Sequence, residues 1–173
     1  RLKGELPAAL GELQKLEELS LFNNFLSGSI PETVGQIKRL KILNLSSNNL
    51  KGSIPNSIGG LTRLEVLGLF ENNLEGSIPQ EMGNLGNLKE LVLANNRLGG
   101  AIPKEFRQLA SLKVLQIQNN RFKSFDGLKL MDTKQFLVFD TDDDTQKPYN
   151  EINFKQLRTR TADTKFEDDD NNE

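Results

Sequence analysis

The sequence predicts an α/β solenoid, in which each coil contributes one short strand and one short 3₁₀ or helical segment. Three observations predict it. Asn24, Asn48, Asn72, Asn96 and Asn120 recur at a spacing of 24 without slippage. Leucines hold fixed places before each Asn, as in Leu40, Leu43 and Leu45 ahead of Asn48. Past each Asn, four coils continue through Gly and Ile-Pro: Gly28 with Ile30-Pro31, Gly52 with Ile54-Pro55, Gly76 with Ile78-Pro79, and Gly100 with Ile102-Pro103. A fixed period of this length marks a stack of like units, each unable to bury its apolar face alone.

Each element follows from its residues. In Leu19-Ser20-Leu21 the alternation sends two leucines to one face and a small residue to the other, the mark of a strand with one buried side. The Asn follows where the chain turns inward, and its amide can bond backbone groups that the turn leaves unpaired. Gly permits tight backbone geometry there, and Pro starts the short 3₁₀ or helical segment. Val34, Ile37 and Leu40 then return at helical spacing to cover the core, as do Ile58, Leu61 and Leu64 one coil later. About eight inward apolar side chains per coil, at ~1.5 to 3 kcal/mol each, oppose the backbone entropy when neighbours are present. The opening Leu2, Gly4, Leu6 and Pro7 is the second half of an earlier coil, each 24 residues before its counterpart.

These residues resemble the plant-type leucine-rich repeat, LxxLxxLxLxxNxLxGxIPxxLGxL. The stretch from Leu40 to Pro55 matches it at every defined position, and the likeness covers about residues 2–122. The resemblance implies a right-handed horseshoe or superhelix. A parallel β-sheet would line the concave face, with 3₁₀ or helical segments on the convex side and extra short strands around the GxIP motif. Members of this family are mostly ectodomains of receptor-like kinases and receptor-like proteins, or soluble repeat proteins, and they recognise peptides and proteins. Two departures stand out. Plant ectodomains usually close their ends with paired cysteines, and this chain has no Cys. After Phe122 the fifth full repeat also loses its GxIP half.

Three regions are therefore expected: the solenoid over 1–122, a capping segment over 123–157 and an acidic tail over 158–173. Phe125, Leu128, Leu130 and Met131 are expected to cover the end of the last coil, with 135–139 as a short strand or helix. Charge divides along the same line. Residues 1–122 hold 14 Lys/Arg against 11 Asp/Glu, and residues 123–173 hold 8 against 13. The acidic end is a candidate for folding back on the mildly basic body.

Composition excludes whole classes of chemistry. Without His or Cys there is no Ser-His-Asp or Cys-His nucleophile system, and the commonest metal ligands are missing. No Gly-rich phosphate loop occurs, and no basic patch with interleaved aromatics points to nucleic acid. No enzyme activity and no cofactor are expected. No stretch reaches the ~18 to 20 apolar residues of a membrane helix. Missing Cys and a missing signal segment lean towards the cytoplasm, or towards a piece cut from a longer extracellular receptor. One minor pattern suggests calcium: Asp140, Asp142, Asp144 and Glu151 fall at positions 1, 3, 5 and 12 of an EF-hand count, with Phe136 and Phe139 at helical spacing before them. Thr145 stands where the loop needs Gly, with Lys147 and Pro148 further on.

The expected partner is a protein or peptide held on the concave face by the strand positions that the pattern leaves free. These are Glu18, Ser20 and Phe22; Ile42, Asn44 and Ser46; Val66, Gly68 and Phe70; Glu90, Val92 and Ala94; and Val114, Gln116 and Gln118. Phe22 and Phe70 share a column two coils apart. Each is either an aromatic anchor for a ligand or a ring laid against the next strand. Glu18, Glu71 and Glu90 are candidates for steering a basic partner or for a solvated rim. Asn44-Leu45-Ser46 is also an N-glycosylation sequon, meaningful only for a secreted chain.

Overall fold

The computed structural model describes residues 1–141. Its strands are β1 (Lys3–Glu5), β2 (Glu18–Ser20), β3 (Phe25–Ser27), β4 (Ile42–Asn44), β5 (Lys51–Gly52) and β6 (Val66–Gly68), then β7 (Asn73–Ser77), β8 (Glu90–Val92), β9 (Arg97–Ala101), β10 (Val114–Gln116), β11 (Arg121–Ser124) and β12 (Val138–Asp140). The even strands through β6, with β8, β10 and β12, form one parallel sheet in the order β12-β10-β8-β6-β4-β2. Shorter parallel sets, β1 with β3 and β5-β7-β9-β11, run beside the Gly positions. The fold is the expected right-handed α/β solenoid, and its convex segments are all 3₁₀ rather than α-helical.

Every neighbouring pair in the concave sheet keeps one register, Ile42 opposite Val66 and Val66 opposite Glu90, so equivalent positions stack without shear. That register puts Leu43, Leu67, Leu91 and Leu115 inside, each fully buried, with Leu45, Leu69, Leu93 and Ile117 beneath them. Leu19 and Leu21 of the first full coil are only partly covered.

Pro55 lies one residue ahead of its 3₁₀ segment, Asn56–Gly60, and not within it. Its extended backbone aims the carbonyl so that it accepts from Ile58 N–H at 3.1 Å. In each Asn-bearing turn the preceding residue takes a left-handed conformation, with φ 55° at Ser47 and at Glu71. Glu there is strained, because its Cβ crowds the next carbonyl. Glu71→Asn is expected to stabilise the chain by about 0.5–1 kcal/mol, since Asn tolerates this region. The urea midpoint of the variant checks it, and an unchanged or lower midpoint would show that the strain is relieved some other way.

The end of the solenoid differs from the boundary expected at residue 122. The Asp126–Leu130 3₁₀ segment and β12 form a further coil, with Val138 opposite Val114 and Asp140 opposite Gln116. Phe136 and Phe139 stand 24 residues after Leu112 and Leu115 and replace them as inward groups, their rings 4.9 Å apart. Leu128 and Met131 are buried as expected, whereas Leu130 points outward at 54% exposure. Residues 142–157 of the expected cap and the acidic tail at 158–173 lie outside the described residues.

Candidate functional site

Strand alternation fixes what the concave face presents. The residues between the buried leucines form three columns, Glu18-Ile42-Val66-Glu90-Val114-Val138, Ser20-Asn44-Gly68-Val92-Gln116-Asp140, and Phe22-Ser46-Phe70-Ala94-Gln118. Packing along the columns covers the middle coils more than the pattern suggests. Asn44, Ser46, Val92, Ala94 and Gln116 are all nearly fully buried.

Two of these are held by the scaffold. The Asn44 side-chain oxygen accepts from the Ser46 backbone N–H at 3.1 Å, and the Ser46 hydroxyl accepts from the Phe70 N–H at 3.1 Å. Asn44 and Ser46 thus serve the turn, which leaves them little surface for a ligand. The sequon at Asn44 is buried by the same stacking.

Phe70 is half-buried and joins Val66, Val92, Ile42 and Val114 in an apolar cluster separate from the main core. The two readings of Phe70 are therefore joined: its ring lies against neighbouring strands and still offers part of its surface to the concave side. Phe22, also half-buried, lies outside that cluster, two coils towards the open end. Gly68, itself buried, stands between Asn44 and Val92 in its column.

Carboxylates border the apolar cluster. Glu18 is exposed on the first coil, Glu90 is half-buried at the centre and Asp140 is buried at the far end. No Lys or Arg stands in these columns among the described residues. Glu90 Oε2 and Gln118 Oε1 are covered yet lack a hydrogen-bond partner among the described residues. A covered acceptor without a donor costs ~1 to 3 kcal/mol, which a ligand donor would recover.

Asp140 does not start an EF-hand. It is the last residue of β12, paired with Gln116, and residues 138–140 form a strand where the motif needs a helix. The sixth coil claims Phe136 and Phe139 for the core instead. Asp142, Asp144 and Glu151 lie outside the described residues. Among the described residues no group of His, Cys, Asp and Glu is placed to hold a metal ion. No helix there is long and apolar enough to cross a membrane.

A family model described as a leucine-rich repeat region matches residues 2–129. The chain belongs to the leucine-rich repeat family. Among solved structures of the family, it is similar to the plant peptide hormone receptor RGFR1 in complex with RGF2. Identity is 37% and the TM-score 0.69, over 69% of this chain and 19% of that one. It is also similar to the Arabidopsis receptor kinase HAESA in complex with the peptide hormone IDA and the co-receptor SERK1, at 35% identity and TM-score 0.68, over 75% of this chain and 22% of that one. A third likeness is to the leucine-rich repeat ectodomain of the receptor kinase SOBIR1 from Arabidopsis thaliana, at 32% identity and TM-score 0.65, over 69% and 65% of the two chains. This leucine-rich repeat chain spans about a fifth of the first two. No curated protein sequence matches it.

Proposed function

We propose that the concave face binds an extended peptide, in the manner of a receptor ectodomain sensing a ligand. The observation that carries this reading is the apolar cluster of Ile42, Val66, Phe70, Val92 and Val114, partly open on a wall that otherwise presents carboxylates and amides. Apolar surface ringed by polar groups on a rigid face is the usual ground for a binding hot spot. The wall costs little entropy to order, because coil stacking already fixes it. Similarity to ectodomains solved with peptide hormones supports a peptide over a small molecule.

The ligand that fits has an apolar side chain over Phe70 and a basic group facing Glu90. Glu18, Ser20 and Phe22 at one end, and Gln118 at the other, would meet the rest of it. Peptides selected from a random library on the whole chain test this. Phe70→Ala is expected to weaken the selected peptides by about tenfold, and Glu90→Gln to weaken those carrying Arg or Lys more than those without. Selected peptides indifferent to both substitutions would contradict the reading. A non-catalytic scaffold holding a folded partner on the same wall is the second reading, favoured by the small or covered residues Gly68, Val92 and Ala94 at its centre. It predicts that no short peptide is selected while a folded partner depends on Phe70.

A further inference from the structure

The flank where the chain enters the concave strands carries the most one-sided charge in the described chain. It comprises the three outward positions before each strand, typified by Lys38, Arg39 and Lys41. Over the described coils these positions hold eight Lys/Arg and two Glu, while all other described positions hold nine Lys/Arg against 12 Asp/Glu. Lys15, Arg39 and Arg63 fall in one column and Lys41, Lys89 and Lys113 in another. Successive coils lie about 4.8 Å apart, so Lys15, Arg39 and Arg63 form one close row, while in the other column Glu17 and Glu65 alternate with Lys41 and Lys89 before Lys113.

The pairing on the flank is incomplete. Lys41 is 3.3 Å from Glu17, an exposed pair, and Lys89 is 2.8 Å from the half-buried Glu65. Lys15, Arg39, Arg63 and Lys113 form no ion pair among the described residues. A shallow groove of about 450 Å³ opens between the rows, lined by Lys41, Arg63, Glu65, Asn87, Lys89 and Ser111. Like charges set this close in a folded chain repel one another, and an anion in the groove would relieve them.

From this juxtaposition we propose that the basic flank is a second docking site, separate from the concave face, for an extended acidic segment of a partner protein. The flank positions contain no aromatic residue for stacking bases, which argues against single-stranded nucleic acid. Ammonium groups on long stems reach carboxylates spaced along a strand without needing a matched register, and Arg39 and Arg63 add bidentate geometry. A ligand on the concave wall and an acidic segment on the flank would occupy adjoining faces of the same coils.

The test uses the whole chain and a fluorescein-labelled peptide of eight alternating Asp and Ser residues, followed by anisotropy at low and at high salt. The triple variant R39E/R63E/K113E is expected to weaken binding at least about tenfold, and salt to weaken the parent in the same direction. The control K51E/K104E/R107E changes net charge equally at other faces and is expected to stay within about twofold of the parent. Equal loss in both triples would mean a diffuse charge effect and overturn the site. Tighter binding of a single-stranded DNA oligomer than of the peptide would overturn the ligand class. Binding seen only after Asp168, Asp169 and Asp170 are replaced by Asn would make the chain's own end the occupant, and would overturn the partner reading.

Discussion

Asn72→Ala is expected to cost the folded chain about 2–3 kcal/mol, a large loss for one polar side chain. One side chain joins two coils. The Asn72 amide donates to Leu45 O at 3.0 Å in the preceding coil and to Leu69 O at 3.3 Å in its own. Its oxygen accepts from the Leu50 N–H at 3.0 Å. Truncation leaves the buried Leu50 N–H without a partner, at ~1 to 3 kcal/mol, while Leu45 O and Leu69 O each lose one donor and keep the amides of Asn48 and Asn96. Asn24 shows how position matters. At the open end its amide donates only to Leu21 O and Phe22 O of its own coil, and its oxygen accepts from the exposed Leu2 N–H, where water can take its place. Asn24→Ala is therefore expected to cost less than half as much. Urea unfolding of the two variants checks this, and equal losses would mean that the column acts only within its own coil.

Gly59→Ala is expected to destabilise by about 2–3 kcal/mol, although Gly59 has ordinary backbone angles. The reason is coil-to-coil contact. A Cβ at Gly59 would lie 2.5 Å from the Glu81 carbonyl oxygen of the next 3₁₀ segment, against backbone that cannot swing aside. Gly35 meets Ser57 and Gly83 meets Glu105 in the same way. Arg107 occupies the equivalent place in the fifth coil, where Gly127 makes the close approach to Ile102 and Pro103 instead. Gly86→Ala is the matched control. Nothing lies within 4 Å of its added Cβ, so a neutral or slightly stabilising effect of up to about 1 kcal/mol is expected. Thermal unfolding of both variants separates the cases, and similar shifts for Gly59→Ala and Gly86→Ala would remove the packing explanation.

The period made most of the scaffold legible. Leu43, Leu67 and Leu91 could be placed inside, and Asn48, Asn72 and Asn96 in the turns, because each position repeats the same physical problem. The sixth coil was harder to see. It keeps the inward apolar character through Phe136 and Phe139 while discarding Leu, Asn, Gly and Pro, so hydrophobic phase survives where residue identity does not. The binding wall was the least legible part. Its columns are readable, but burial within them depends on neighbours one coil away. Ser46 is covered because Phe70 follows it, and its hydroxyl is bound by the Phe70 N–H. No single-coil pattern contains that information. The aspartate spacing shows the complementary limit: a count of carboxylates says nothing about whether the chain enters Asp140 from a helix or a strand, and it enters from β12.

The most direct test of the central claim, that ligand recognition lies on the concave wall, is methyl-resolved NMR of the whole chain with a selected peptide. The expected result is that the methyl signals of Ile42, Val66, Val92 and Val114 shift on saturation, while those of Ile54, Ile78 and Ile102 beside the prolines stay in place. Shifts at Ile54, Ile78 and Ile102 with the three valines unmoved would put recognition on the other side of the solenoid and contradict the claim.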